Sequence, residues 1–108
     1  MNYTARLTVP ALTPATAPVA TVIRPTVKRL TGGRVLFPRG VHSLTFIRIR
    51  DRGFQLYPDL GAWATGDNDT LTFQVNRRLD GPPSEIWIEG YSDDDTYPHT
   101  ITVSLDAQ

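Results

Sequence analysis

The chain has 108 residues, no cysteine, and a formal net charge of zero from eleven basic and eleven acidic side chains. The length suits a single domain over residues 1–108, which can bury enough surface to fold without covalent staples. The missing cysteines exclude disulfides, zinc–thiolate sites and cysteine nucleophiles. The balanced charge argues against a sequence-independent nucleic-acid binder, because such proteins normally present a basic surface.

The start of the chain, from Met1 to Pro10, carries neither a basic n-region nor an apolar h-region, so we expect no signal peptide. No apolar run approaches the roughly 20 residues that a membrane-spanning helix needs. We therefore expect synthesis in the cytoplasm, with no membrane and no specific nucleic acid among the partners.

The first third of the chain alternates strand patterns with proline and glycine. Residues 3–9 alternate apolar and polar side chains, which predicts a strand. Residues 10–18 contain three prolines and predict either an ordered crossover loop or an arm that reaches a neighbouring subunit. Residues 19–30 predict one long strand, or two strands broken at the internal proline. Residues 31–33 (Thr-Gly-Gly) predict a turn, and a short strand over 34–37 follows.

The middle of the chain carries the clearest hairpin signal. Residues 44–50 alternate strictly and predict a strand. Residues 51–53 (Asp-Arg-Gly) predict a tight turn in which the glycine supplies the positive φ, and residues 54–57 return as the partner strand. Residues 58–68 are too rich in turn-forming residues for a regular element, and we expect Trp63 to anchor this loop on the body of the domain.

The last part of the chain contains three further strand patterns. Residues 70–75 predict a strand with its apolar side chains inward, and residues 76–83 predict a loop closed by Gly-Pro-Pro. Residues 84–105 then predict two alternating strands joined by an acidic connection, which we interpret as a final hairpin. Alternation places the following residues toward the core: Ile86, Ile88, Ile101, Val103 and Leu105.

Eight or nine short strands at intervals of about ten residues, with no helical periodicity, predict an all-β domain. A β-sandwich or a barrel fits such a pattern. We favour a jelly-roll-like β-sandwich of about eight short strands, because several connections are too long for a simple meander.

The outer faces of two strands carry large aromatic and charged side chains that packing in the core does not explain. The strand that buries Ile86 and Ile88 carries tryptophan, tyrosine and two glutamates on its other face, and the strand over 44–50 carries phenylalanine and two arginines. Tryptophan, tyrosine and arginine are enriched in interface hot spots, and arginine–glutamate pairs across strands are expected. The alternative is that a loop such as residues 10–18 covers this face. The candidate interface residues are Phe46, Arg48, Arg50, Glu85, Trp87, Glu89 and Tyr91.

Acidic residues cluster in two loops and raise the question of calcium, which favours several oxygen ligands from one loop. Neither cluster has the spacing and terminal glutamate of an EF-hand. Asp and Asn also initiate turns by bonding to their own backbone, and we favour that interpretation. The candidate calcium ligands under the other interpretation are Asp67, Asp69, Asp93, Asp94 and Asp95.

No residue set supports catalysis, and we expect a non-enzymatic protein without a cofactor. The serines lie in no Gly-x-Ser-x-Gly elbow, and His42 and His99 without cysteine form a poor zinc set. Glu85 and Glu89 could serve as paired carboxylates for glycoside hydrolysis, but glutamates on a strand face are more often solvated or paired with arginine. Gly32 and Gly33 lack the spacing and the lysine of a phosphate-binding loop.

Four segments of the chain resemble a family of small proteins encoded among the virion genes of tailed bacteriophages. These segments are residues 8–14, 47–58, 66–70 and 86–103. The acidic loop with its Thr96-Tyr-Pro-His99 sequence is the most distinctive match. The resemblance implies a structural protein of the virus particle, and it carries over no catalytic residue.

The residue pattern and the resemblance together predict a virion structural protein. The preferred role is a capsid decoration or cementing (minor capsid) protein on the outer surface of the phage head, and the head–tail connector is the close variant. The partners would be the major capsid protein or other virion proteins, with a homo-oligomer, preferably a trimer. The alternative is a carbohydrate-binding module, with or without calcium, in which Trp63, Trp87 or Tyr91 stacks on sugars.

Overall fold

The computed structural model describes residues 1–79 and 84–108. These residues form nine strands and no helix. The strands are β1 (Asn2–Val9), β2 (Val19–Ile23), β3 (Arg29–Phe37), β4 (Thr45–Asp51), β5 (Phe54–Tyr57), β6 (Ala64–Thr65), β7 (Asp69–Arg78), β8 (Ile86–Ser92) and β9 (His99–Ala107).

The strands form two antiparallel sheets. One sheet has the order β1-β9-β3-β7, and the other has the order β2-β8-β4-β5, with the two-residue β6 paired to β4. When β6 is set aside, the other eight strands are divided between two four-stranded sheets in the jelly-roll order. The predicted all-β sandwich of about eight short strands is therefore confirmed.

The ladders between strands are nested along the chain. β1 pairs with β9, β2 with β8, β3 with β7, and β4 with β5. The chain thus runs out to the turn between β4 and β5 and then returns beside itself, and the resulting double strand is wrapped into two sheets. Two further ladders, β3 with β9 and β4 with β8, complete the sheets.

The core lies between the two sheets, and period-two alternation identified it correctly. Every residue placed toward the core in the last two strands is fully buried, as are Ile47 and Ile49 on β4. Complete burial of one such aliphatic side chain stabilises the fold by about 1.5–3 kcal/mol. The fully buried residues of these strands are Ile47, Ile49, Ile86, Ile88, Ile101, Val103 and Leu105.

The predicted final hairpin is wrong. β8 pairs with β2 and β4, whereas β9 pairs with β1 and β3. The acidic connection between β8 and β9 therefore crosses from one sheet to the other. Alternation reveals which face of a strand is buried, but two strands that bury the same type of face can belong to opposite sheets.

The predicted turn at residues 31–33 is also wrong, because β3 continues through both glycines. A Cβ atom on Gly33 would lie 2.5 Å from the carbonyl oxygen of Ser104 and 2.8 Å from Cζ of Phe73. The glycines therefore allow close approach of neighbouring strands, which is a known use of glycine within a strand. The register between β3 and β7 shifts between Leu30 and Gly32.

Two smaller differences concern local backbone. The hairpin between β4 and β5 exists, but its left-handed residue is Arg52, with φ of 57°, and not Gly53. The strand predicted over 70–75 extends to Arg78, so the predicted loop over 76–83 is shorter, and its Gly-Pro-Pro segment lies outside the described residues.

Candidate functional site

The predicted interface residues lie mostly together on the outer surface of the β2-β8-β4-β5 sheet. The ladder between β4 and β8 places Phe46 opposite Tyr91, Arg48 opposite Glu89, and Arg50 opposite Trp87. Trp63, from the loop before β6, joins them. We call this surface the aromatic–arginine face; it consists of Phe46, Arg48, Arg50, Trp63, Trp87, Glu89 and Tyr91.

A three-residue ion cluster lies at the centre of the aromatic–arginine face. Nε of Arg48 donates to Oε1 of Glu89 over 2.8 Å. Nε of Arg50 donates to the same oxygen over 2.6 Å, and its Nη2 donates to Oε2 over 3.1 Å. The predicted cross-strand pairing of these arginines with a glutamate is confirmed for Glu89. The paired glutamate is also buried, because only 8% of Glu89 remains exposed.

The electrostatics of the cluster favour an ionised Glu89. Burial by itself raises the pKa of this carboxyl group, since removing a charge from water is costly. Hydrogen bonds from Arg50 and Arg48, together with their positive charges, outweigh that effect and lower the pKa of Glu89 below its ordinary value. The cluster therefore holds two positive charges and one negative charge at neutral pH.

The aromatic side chains of the face pack on one another. The rings of Phe46 and Tyr91 stack with centroids 4.6 Å apart and planes 7° apart, and Trp63 meets Tyr91 edge-on at 4.7 Å. Cζ of Arg48 lies 4.3 Å from the centroid of the Trp63 ring, within the range of a cation–π contact. The prediction that Trp63 anchors the loop over 58–68 on the domain is confirmed.

Trp87 differs from the other aromatic residues of the face because 36% of it remains exposed. It lies on β8 between Arg50 of β4 and Val22 of β2. A large apolar ring beside a partly exposed arginine is the kind of surface that protein partners cover. Trp87 is thus the ring of the face that water still reaches.

Glu85, the remaining predicted interface residue, has a separate partner. It precedes β8 and pairs with Arg24 just after β2, with Nε and Nη2 of Arg24 at 3.2 Å and 3.1 Å from Oε2. Both side chains are exposed, and exposed pairs of this kind contribute about 0–1 kcal/mol. No sequence pattern pointed to Arg24, because it lies 61 residues before its partner.

The acidic connection between β8 and β9 is organised by Asp94. Its Oδ1 accepts hydrogen bonds from the amides of Thr96 at 2.9 Å and Tyr97 at 3.2 Å, and its Oδ2 lies 2.6 Å from Nε2 of His99. The interpretation of this aspartate as a turn residue is confirmed. The hydrogen bond from His99, followed by the two amides, lowers the pKa of Asp94 to about 2.

Asp67 has a structural role between two loops. Its Oδ1 accepts hydrogen bonds from the amides of Gly40 and His42, each at 3.0 Å. These bonds, the one from His42 foremost, lower the pKa of Asp67. Asp67 thus accepts hydrogen bonds from the backbone of another loop. The turn interpretation placed these bonds within its own loop and is wrong for this residue.

Asp69 and Asp95 have local contacts, and Asp93 bonds through its backbone to a distant loop. Oδ2 of Asp69 accepts a long hydrogen bond of 3.4 Å from the amide of Asp67, and Oδ1 of Asp95 accepts one from the Thr96 hydroxyl at 2.8 Å. Asp93 donates its own amide to the carbonyl oxygen of Leu44. Across residues 1–79 and 84–108, no three His, Asp or Glu side chains are grouped so that they could hold a metal ion.

The proline-rich loop over 10–18 is tied to its own domain near this connection. The amide of Leu12 donates to the carbonyl oxygen of Asp94 over 2.8 Å, and the amide of Ser92 donates to that of Thr13 over 3.0 Å. The loop therefore packs beside the crossing between the two sheets.

No protein-family model matches this chain, and a search of curated proteins gave no match. In the part of the chain that the structure describes, there is no helix with the length and apolar character needed to cross a membrane.

Proposed function

We propose that this protein is a non-enzymatic structural component of a bacteriophage virion. The preferred role is a decoration or cementing protein on the outer surface of the head, bound to the major capsid protein or another virion protein. The head–tail connector is the second position on the particle. The aromatic–arginine face is the observation that carries the proposal, because it provides a ready surface for a protein partner.

Three properties of this face support binding to a protein. Its residue types are those enriched at interface hot spots. Its side chains are fixed before binding by ring stacking and by the hydrogen bonds to Glu89, and such preorganisation lowers the entropic cost of association. Its exposed ring, Trp87, supplies apolar area that a partner can bury.

The fold itself is compatible with two functions, since jelly rolls occur in viral capsid proteins and in lectins. The sequence resemblance to virion-encoded proteins favours the first. The packing of the face also weighs against sugar stacking: Arg48 covers one side of the Trp63 ring, and Phe46 stacks on Tyr91. Of the three rings considered for sugar binding, Trp87 alone keeps a substantial exposed surface.

The direct test is to look for this protein in purified particles. Virions released from a host that carries the gene would be purified by density gradient, and their proteins quantified by peptide mass spectrometry. We expect this chain at a copy number comparable to that of the capsid subunit, and immunogold labelling on the outer surface of the head. Absence from the particles in a lysate that contains the protein would contradict the proposal.

The oligomeric state provides a second measurement. Light scattering on the recombinant protein should give about three times the mass of the 12.0 kDa chain if it assembles before it reaches the capsid. A monomer whose tryptophan fluorescence changes on titration with a glycan would instead favour the carbohydrate-binding alternative.

A further inference from the structure

We propose that Arg48 is the docking point for a carboxylate side chain, Asp or Glu, presented by the protein partner. This inference rests on the proposed function, in that it assumes a partner that is a protein. It identifies the chemistry that the aromatic–arginine face recognises: an acidic group at Arg48 beside an apolar contact at Trp87.

The centre of the aromatic–arginine face carries an unbalanced charge. Glu89 neutralises one of the two guanidinium groups that it binds, so the centre of the face keeps one surplus positive charge. A second arginine offers a comparison, because Nε of Arg77 lies 2.6 Å from Oδ2 of Asp51 and its Cζ lies 4.3 Å from the Phe54 ring. The local geometry is the same, but Arg77 and Asp51 form a neutral one-to-one pair.

The two arginines of the cluster differ in the hydrogen-bond donors that they leave unused. Arg50 uses Nε and Nη2 on Glu89 and donates from Nη1 to the carbonyl oxygen of Arg52 over 3.2 Å. Arg48 uses Nε on Glu89, and none of the described residues accepts a hydrogen bond from its Nη1 or Nη2. The Arg48 side chain is 27% exposed. Its Nη1 and Nη2 are therefore the donors that a partner can use.

The guanidinium of Arg48 is held in one orientation. Stacking on Trp63 fixes the plane of the Arg48 guanidinium, and the bond from Nε to Glu89 fixes its rotation within that plane. The two terminal nitrogens form the fork that binds a carboxylate through two parallel hydrogen bonds. Because the fork is already immobile, little side-chain entropy is lost when the acid binds.

The test uses small carboxylates as probes on the whole chain. Acetate and N-acetylglutamate amide would be titrated at constant ionic strength, set with sodium chloride, while NMR follows the Nε–Hε signals of the arginines and the indole signal of Trp63. We expect saturable shifts for Arg48 and Trp63 with either acid, and small linear shifts for Arg77.

Two matched variants complete the experiment. Arg48→Lys keeps the charge and removes the fork, so the apparent affinity read from the Trp63 indole should fall by about fivefold or more. Arg77→Lys should leave that affinity unchanged. Equal shifts at Arg48 and Arg77, or no saturation at Arg48, would overturn the proposal. Binding of glucuronate without binding of N-acetylglutamate amide would overturn it in favour of an acidic sugar.

The titration and the particle experiment test the two proposals separately. If the chain is absent from virions but the carboxylates bind at Arg48, the virion role is lost and the docking point remains. If the chain is present in virions but no carboxylate binds, the docking point is lost and the structural role remains.

Discussion

Arg48 and Glu89 face each other across the ladder between β4 and β8, and the hydrogen bond between them spans 2.8 Å. The pair contains one buried and one partly exposed side chain. Its carboxylate is buried and holds both arginines in place, while the Arg48 side chain remains 27% exposed. One cross-strand pair thus stabilises the fold and includes the proposed docking point.

Replacing Glu89 should therefore destabilise the fold. In Glu89→Gln the two arginines lose their shared negative partner and repel each other, and we expect a loss of about 2 kcal/mol in the free energy of unfolding. Chemical denaturation measures this loss. Glu85→Gln is the matched control, because its pair with Arg24 is exposed, and it should cost less than about 1 kcal/mol. Equal losses in the two variants would show that the buried cluster contributes no more than a surface pair.

Trp87 and its neighbour Ile88 should separate association from folding. Ile88 is fully buried, so Ile88→Ala should cost about 2–5 kcal/mol of stability. Trp87→Ala should cost less, about 1–2 kcal/mol, because 36% of the residue is already exposed, but it should abolish oligomer formation or binding to the particle. Chemical denaturation measures the stability of each variant, and light scattering on the same samples measures its association. A Trp87→Ala protein that unfolds as easily as Ile88→Ala, yet still associates, would make Trp87 a core residue.

The connection between β8 and β9 should be sensitive to acid. Asp94 has a pKa of about 2 in the folded protein, below the ordinary value of 3.8. A depressed pKa contributes stability that is fully present above pH 4 and is lost as the pH falls toward 2, because protons then bind the unfolded chain first. Melting temperatures of the wild type and Asp94→Asn should differ above pH 4 and converge near pH 2. A carboxyl carbon titration of Asp94 with its midpoint near 3.8 would contradict this expectation.

The two sheets should tolerate an added methyl group differently at two glycines. A Cβ atom on Gly33 would meet a backbone oxygen at 2.5 Å, whereas the three atoms nearest to one on Gly90 would be side-chain methyl groups, the first being Cγ2 of Val9 at 2.9 Å. Side-chain ends can move and backbone cannot do so cheaply. We expect Gly33→Ala to cost about 3 kcal/mol and Gly90→Ala about 1 kcal/mol, near the two ends of the range for overpacking. Chemical denaturation of both variants tests the order, and the reverse order would contradict it.

The sequence predicted the buried faces well because alternation is a local property. It placed Ile86 and Ile88 in the core and brought Arg48 toward a glutamate, since period two fixes which side chains share a face. The prediction failed where the conformation of a residue depends on a contact with a residue distant in the chain. Gly33 resembles a turn residue until the carbonyl oxygen of Ser104 on a neighbouring strand is known.

In the candidate site, too, the local patterns were predicted and the contacts between distant residues were not. The residues on β4 and β8 were predicted because both strands alternate. Trp63 was expected to anchor its loop, but its contact with Arg48 could not be predicted, because the path of an irregular loop is set by tertiary packing. The pair of Asp94 and His99 was missed as well, although an aspartate and a histidine five residues apart across a turn could have indicated it.

The nested ladders have a consequence for the order of folding. The pairs closest in sequence are those beside the Arg52 turn, while Asn2 and Asp106 of the outermost ladder lie 104 residues apart. Distant pairings form slowly because the intervening chain must first be closed into a loop. We expect the β4–β5 hairpin to form early and each outer ladder to close on the one inside it. Changes near Arg52 should then slow folding, whereas changes in the β1–β9 ladder should mainly accelerate unfolding.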